Sequence, residues 1–210
     1  IQGSLVGEAW ERCRNPLLLR FFCEAYDGRP AGGRDVGEVA EIRLYPLFVL
    51  FWKQKLGNIQ DRLGDQLVSQ AVSDFILTVA GLMHRSHRTT VSRREVAGAL
   101  DSDLRAMLVP DSIYVRTLDE EIIIEEETNS LTASANIFFV YDKFSEFAIS
   151  LHIYQDQGWQ EKTAEQIKSD TRGLMQEETE SEFATLRGAL EFLVWQLEAY
   201  RADEDIHIQV

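Results

Sequence analysis

Ile122-Ile123-Ile124-Glu125-Glu126-Glu127 and Ile137-Phe138-Phe139-Val140-Tyr141 are the two stretches on which the reading of the fold turns. Each carries a short run of β-branched or aromatic residues, and the turn-forming stretch Thr128 to Asn136 lies between them, so the pair reads as a β-hairpin. Working back from it, Ser112 to Leu118 reads as a short helix. Ser92, with Glu95 three residues on, forms a capping box at the head of another that runs to Leu100. Upstream, Leu63, Leu67, Val68, Ala71, Phe75, Ile76, Val79 and Leu82 recur at helical spacing, which predicts a long amphipathic helix from Arg62 to about His84.

Helix, short helix, helix, hairpin is the order of a winged helix, a helix-turn-helix with a β wing. The segments before it read as helical too: Ser4 to about Cys13, then Pro16 to Tyr26 behind the Asn15 cap, with Pro in the first turn where its missing N–H costs nothing. Asp27 to Arg34 holds three glycines and a proline and marks a boundary. Asp35 and Glu38 form a second capping box, opening a helix through Leu56 that Pro46 is expected to kink. After the hairpin, helical periodicity resumes at Lys143 and again at Phe183, where Leu186, Leu190, Leu193, Val194 and Leu197 share a face. Gln176 to Glu182 leans toward low complexity. The expected fold class is therefore mostly α: a helical bundle, a winged helix with a small β-hairpin, then further helices. The expected divisions are 1–34, 35–155 and 156–210.

Charge divides the 210 residues unevenly. Residues 1–100 hold 13 Lys and Arg against 11 Asp and Glu, net +2, whereas residues 101–210 hold 8 against 24, net −16. Around the reading helix and wing, Asp111, Asp119, Glu120, Glu121, Glu125, Glu126 and Glu127 face only Arg116. Phosphate contacts dominate nucleic-acid affinity, so this winged helix is expected not to bind DNA. The longest apolar run, Leu44 to Trp52, is far short of the roughly 20 residues a bilayer needs, and no membrane contact is expected. Cys13 and Cys23 lack zinc-ligand neighbours and read as buried, reduced thiols of a cytoplasmic protein. His84, His87, Arg85, Arg88, Arg93 and Arg94 make the one basic cluster, read as a solvated helix end or a surface for an acidic partner, including the chain's own second half. No carboxylate sits within a turn of the two histidines, so no metal is expected there, and no catalytic constellation is legible. No G-x-x-x-x-G-K-[ST] loop occurs, so the chain is expected neither to hydrolyse ATP nor to bind it tightly unaided. The chain opens at Ile1 with neither an initiator Met nor a signal-peptide pattern and reads as a piece of a longer protein.

Two local patterns carry a resemblance. Asn15-Pro16-Leu17-Leu18-Leu19-Arg20-Phe21-Phe22 resembles the proline-bearing helix that follows the ATPase core in STAND NTPases of the NACHT type. Phe138-Phe139-Val140-Tyr141-Asp142-Lys143-Phe144-Ser145-Glu146-Phe147 resembles the end of that family's winged helix, where the last strand runs into a helix with an aromatic-x-Glu-aromatic signature. The resemblance spans residues 1 to about 155. It implies the regulatory portion of a nucleotide-switched signalling ATPase, lacking its Walker-containing core and ending at the start of a helical sensor region. It further implies ATP or ADP held through that core, with Pro16 and Leu17 near the adenine and Tyr141 and Asp142 at the phosphate-facing slot, where the family often has His. The implied partners are the chain's own ATPase core and sensor domain, a protein trigger, and further copies on activation. In bacteria such proteins are commonly antiviral defence sensors. Two readings stand beside it: a winged-helix interaction module without nucleotide, and an acidic DNA-binding regulator. Read from the residues alone, Pro16 is a first-turn proline and Tyr141 a core aromatic.

Overall fold

Phe21 and Phe22 are what fasten the first described helix to the rest. In the computed structural model, which describes residues 16–26, 44–63, 68–100, 113–129 and 134–201, helix α1 spans Pro16–Tyr26 with Pro16 at its first position. Its Phe21 is fully buried, 4.9 Å edge-on to Phe48 and 4.3 Å from Phe51 of helix α2, Leu44–Leu63. The helix expected over Ser4–Cys13, the glycine-rich boundary at 27–34 and the Asp35–Glu38 capping box lie outside the described residues, and Pro46 is third in the described part of α2.

Helix α2 was expected to end at Leu56 and instead runs to Leu63, through Gly57-Asn58. A mid-helix glycine costs about 1 kcal/mol relative to alanine. Burying Ile59 completely gains about 1.5–3 kcal/mol, and Asn58 donates to Glu120 at 3.0 Å, so tertiary contacts outweigh the local preference. Arg62 and Leu63 accordingly belong to α2, which corrects the expected start of the next helix; α3 is described over Val68–Ser86.

The middle of the chain is as the hairpin reading requires. Strand β1 (Val91–Ser92), helix α4 (Arg93–Ala99), helix α5 (Ile113–Asp119), strand β2 (Ile123–Asn129) and strand β3 (Ser134–Phe139) follow in order. The capping box is present: Ser92 Oγ accepts from the Glu95 amide, and the Ser92 amide donates back to the Glu95 carboxylate at 2.7 Å. Hydrogen bonds from the side chain and backbone of Ser92, then from Arg88, hold the Glu95 carboxyl down at about 2. Ser92→Ala is expected to lower stability by about 1 kcal/mol in a chemical-denaturation midpoint, the usual cost of a lost cap.

β2 and β3 pair antiparallel, Ile123 opposite Phe139 and Glu125 opposite Ile137, and β1 adds to the far side of β3, giving the order β1-β3-β2. Ile123, Ala135, Ile137, Phe139 and Val91 are buried, while Ile124 and Glu126 face outward. The strands reach further into the expected turn than the sequence suggested, taking in Thr128-Asn129 and Ser134 to Asn136.

Helix α6 (Asp142–Asp156) is the centre of the molecule, lying against α3 on one side and helix α8 (Ala184–Arg201) on the other. Phe147 is fully buried, 5.6 Å from both Phe48 and Phe192, so α2, α6 and α8 share one aromatic core that continues across the division expected at residue 155. Between α6 and α8 stands a helix the periodicity did not signal, α7 (Ala164–Ser181). Leu174 is its single buried residue, and the compositionally biased stretch Gln176 to Glu182 forms its last turns and its C-cap. The fold is thus mostly α with a small three-stranded antiparallel sheet.

Candidate functional site

Tyr141 stands where β3 hands over to α6. Its extended backbone (φ −128°, ψ 131°) makes it the N-cap residue, and its carbonyl accepts from the amides of Phe144 and Ser145 at 2.9 and 3.0 Å. Its side chain does not cap the helix. Asp142 follows, exposed in the first turn, where a carboxylate suits the positive end of the helix dipole.

The Tyr141 ring is half-buried against α1. Phe21 meets it edge-on at 5.1 Å, and the Arg20 guanidinium lies 5.5 Å from the ring centroid, within cation–π range. Arg20 also pairs with Glu121. The two sequence segments singled out above therefore meet through Arg20, Phe21 and Tyr141. Pro16 itself is exposed, one turn ahead of Arg20, and the side chain of Leu17 is outside the described ones. Sequence reasoning missed Arg20, although it stands four residues after Pro16 in the motif already quoted.

Beside this junction the turn after α5 places two adjacent glutamates on two different helices. Glu121 takes the left-handed conformation (φ 54°) that closes α5, with its amide on the Leu118 carbonyl and the Ile122 amide on that of Thr117, a position glycine ordinarily fills. Glu120 is buried and receives Arg62 at 3.0 Å, Asn58 at 3.0 Å and Lys55 at 3.6 Å. Lys55, Asn58 and Arg62 recur at helical spacing along one stripe of α2, which explains why one carboxylate reaches all three.

These pairings correct the count of seven surface carboxylates. Glu120 is not at the surface, Glu121 holds Arg20, Asp119 holds Arg116 at 3.0 Å and Glu125 holds Arg93 at 3.6 Å. Asp111 is outside the described residues; Glu126 and Glu127 are exposed. Cys23 is exposed, not buried as expected. The basic cluster does meet the chain's own acidic half: His87 Nε2 hydrogen-bonds Glu177 at 2.9 Å, His84 Nε2 lies 3.2 Å from the same oxygen, and Arg93 pairs with Glu125 at 3.6 Å, while Arg88 pairs within the first half, with Glu95 at 2.7 Å.

Among the described residues no group of three or more His, Cys, Asp or Glu side chains is arranged to hold a metal ion, and no helix is long and apolar enough to cross a membrane. A void of about 10 Å³ lined by Trp52, Phe144 and Phe147 has room for one water at most, so this part of the core offers nothing to a ligand. Comparison of the chain with protein-family models, with curated proteins and with solved structures gives no match.

Proposed function

We propose that this chain is the regulatory portion of a nucleotide-switched signalling ATPase of the STAND, NACHT-like class, in which residues 68–139 act as a winged helix that closes over nucleotide held by a separate ATPase core. The observation that carries the reading is the meeting of α1 with the start of α6: the proline-headed helix and the strand-to-helix signature, 115 or more positions apart, touch through Arg20, Phe21 and Tyr141. The sheet order β1-β3-β2, with α3, α4 and α5 preceding the hairpin, supports the winged-helix part.

In this reading ATP or ADP is bound through the core, with Pro16 and Leu17 beside the base and Tyr141 and Asp142 toward the phosphates. The helix amino terminus at Asp142 leaves first-turn amides that favour an anion. The regulatory cycle is a two-state one: closed over ADP at rest, then opened by a protein trigger and nucleotide exchange to assemble with further copies in the cytoplasm. The shared aromatic core of α2, α6 and α8 makes these helices one body, so the opening motion separates that body from the ATPase core and does not divide it internally.

The test uses the longer protein that includes the ATPase core. Tyr141→Phe keeps the ring packing and deletes one hydroxyl, so it is expected to weaken the resting state by about 1.5–3 kcal/mol, the worth of a hydrogen bond to a charged group, and to raise trigger-free oligomerisation measured by light scattering. Wild-type behaviour of Tyr141→Phe, with unfolding by Tyr141→Ala, assigns the residue to the core and removes it from the switch.

A further inference from the structure

Three of the four histidines in the sequence gather at one corner of the bundle, two at the end of α3 and one on α6. His152 lies near the end of α6 with its ring flat on the α3 backbone at Gly81. A Cβ at Gly81 would stand 2.6 Å from the ring's Cε1, 2.9 Å from Nε2 and 3.0 Å from Nδ1, so the imidazole occupies the space any other residue would fill. One turn further along α3, His84 meets the same ring edge-on at 6.1 Å. His84 and His87 then converge on Glu177 of α7. His87 reaches it from a left-handed turn (φ 49°) that closes α3, its amide on the His84 carbonyl and the Arg88 amide on that of Met83.

We propose that this corner is a proton-released catch: when His152 takes up a proton it leaves the Gly81 notch, and α3 and α6 part at this end while the aromatic core stays closed.

Burial favours release, against the pull of the nearest carboxylates, Asp156 on His152 and Glu177 on His84. His152 faces His84 and Arg85 from α3 and Asp156 from its own helix; His84 faces Arg85, His87, Asp156 and, from α7, Glu177. Burial pushes His152 down to about 4; Asp156 pulls the other way, and His84 and Arg85 push further down. His84 is likewise lowered, first by burial and against the pull of Glu177. A base whose packed state binds protons less readily than its solvated state loses that packing as pH falls, here from about 6.5 toward about 4. The other argument is position. His152 is one turn from the end of α6, His84 lies in the last turn of α3, and α7 has one buried residue, so the corner can open without exposing the aromatic core.

Hydrogen exchange of the whole chain at pH 7.5 and pH 5.0, corrected for intrinsic rates, tests this. Residues 79–88 and 148–156 are expected to lose protection about 30-fold at pH 5.0, from the values for His152 above, while residues 186–193 of α8 keep theirs. His152→Gln is expected to remove the pH difference, and Gly81→Ala, whose methyl takes the ring's place, to show the opened pattern already at pH 7.5. Equal protection at both pH values, an equal loss in every segment, or an undiminished pH difference in His152→Gln overturns the proposal. Should His152→Gln fail to fold, the imidazole resonances of the unaltered protein decide: titration of His152 in step with the loss of protection supports the catch, and titration of the other histidines alone overturns it.

Discussion

Phe147→Ala is expected to lower the unfolding free energy by about 3–5 kcal/mol, the cost of emptying a fully packed aromatic site. Its ring is 0% exposed and stands 5.6 Å from Phe48, 5.6 Å from Phe192, 5.9 Å from Phe144 and 6.2 Å from Tyr45, so the void left behind opens on α2, α6 and α8 together. Domains have only about 5–15 kcal/mol in hand, so the variant should lie close to its unfolding transition at room temperature. Phe147→Leu keeps most of the volume and should recover more than half of the loss. Urea unfolding followed by tryptophan fluorescence reads both; a loss under about 1 kcal/mol for Phe147→Ala refutes the shared core.

Glu120→Ala should cost about 3 kcal/mol or more by a different route. It deletes a buried carboxylate on which Lys55, Asn58 and Arg62 converge, and with it the anion 3.6 Å from Lys55, itself only 8% exposed and 5.4 Å from the Phe51 ring. Arg62, half exposed, can turn to water. The double change Glu120→Leu with Lys55→Met removes both charges at similar volume and should return stability to within about 1 kcal/mol of the original. A double change as costly as the single one would mean that shape, not the loss of this charge pairing, governs this turn.

How much of this was legible beforehand depended on how local the cause is. The Ser92–Glu95 box, the proline-headed α1 and the hairpin are each specified within a few residues, and each stands where the sequence placed it, to within a few residues. α7 escaped because one buried leucine and a half-buried Ile167 make no periodic apolar face, although Thr163 with Gln166 is itself a capping box that marks its start. β1 is two residues long, too short for any alternation to show. The end of α2 was misjudged because Gly57 speaks against a helix locally, while Glu120, which holds its last turns, lies 62 positions away from Asn58. The candidate site divides the same way. Tyr141 and Asp142 could be placed at a strand-to-helix junction from their neighbours alone, whereas Arg20 owes its position to Glu121, 101 residues on, and His87 to Glu177, 90 residues on. Distances of that kind leave no periodic trace.

The contact between Phe48 and Phe192 also has a cost in time. A ribosome adding about 5–20 residues per second finishes α2 on the order of ten seconds before it delivers the helix that covers it. During that interval Phe48 and its aromatic neighbours on α2 present a broad oily surface on a nascent chain, first half-sheltered by α6 and closed only when α8 emerges. The emergence of α8 is therefore the step at which synthesis ends this core's exposure to aggregation and to chaperone capture.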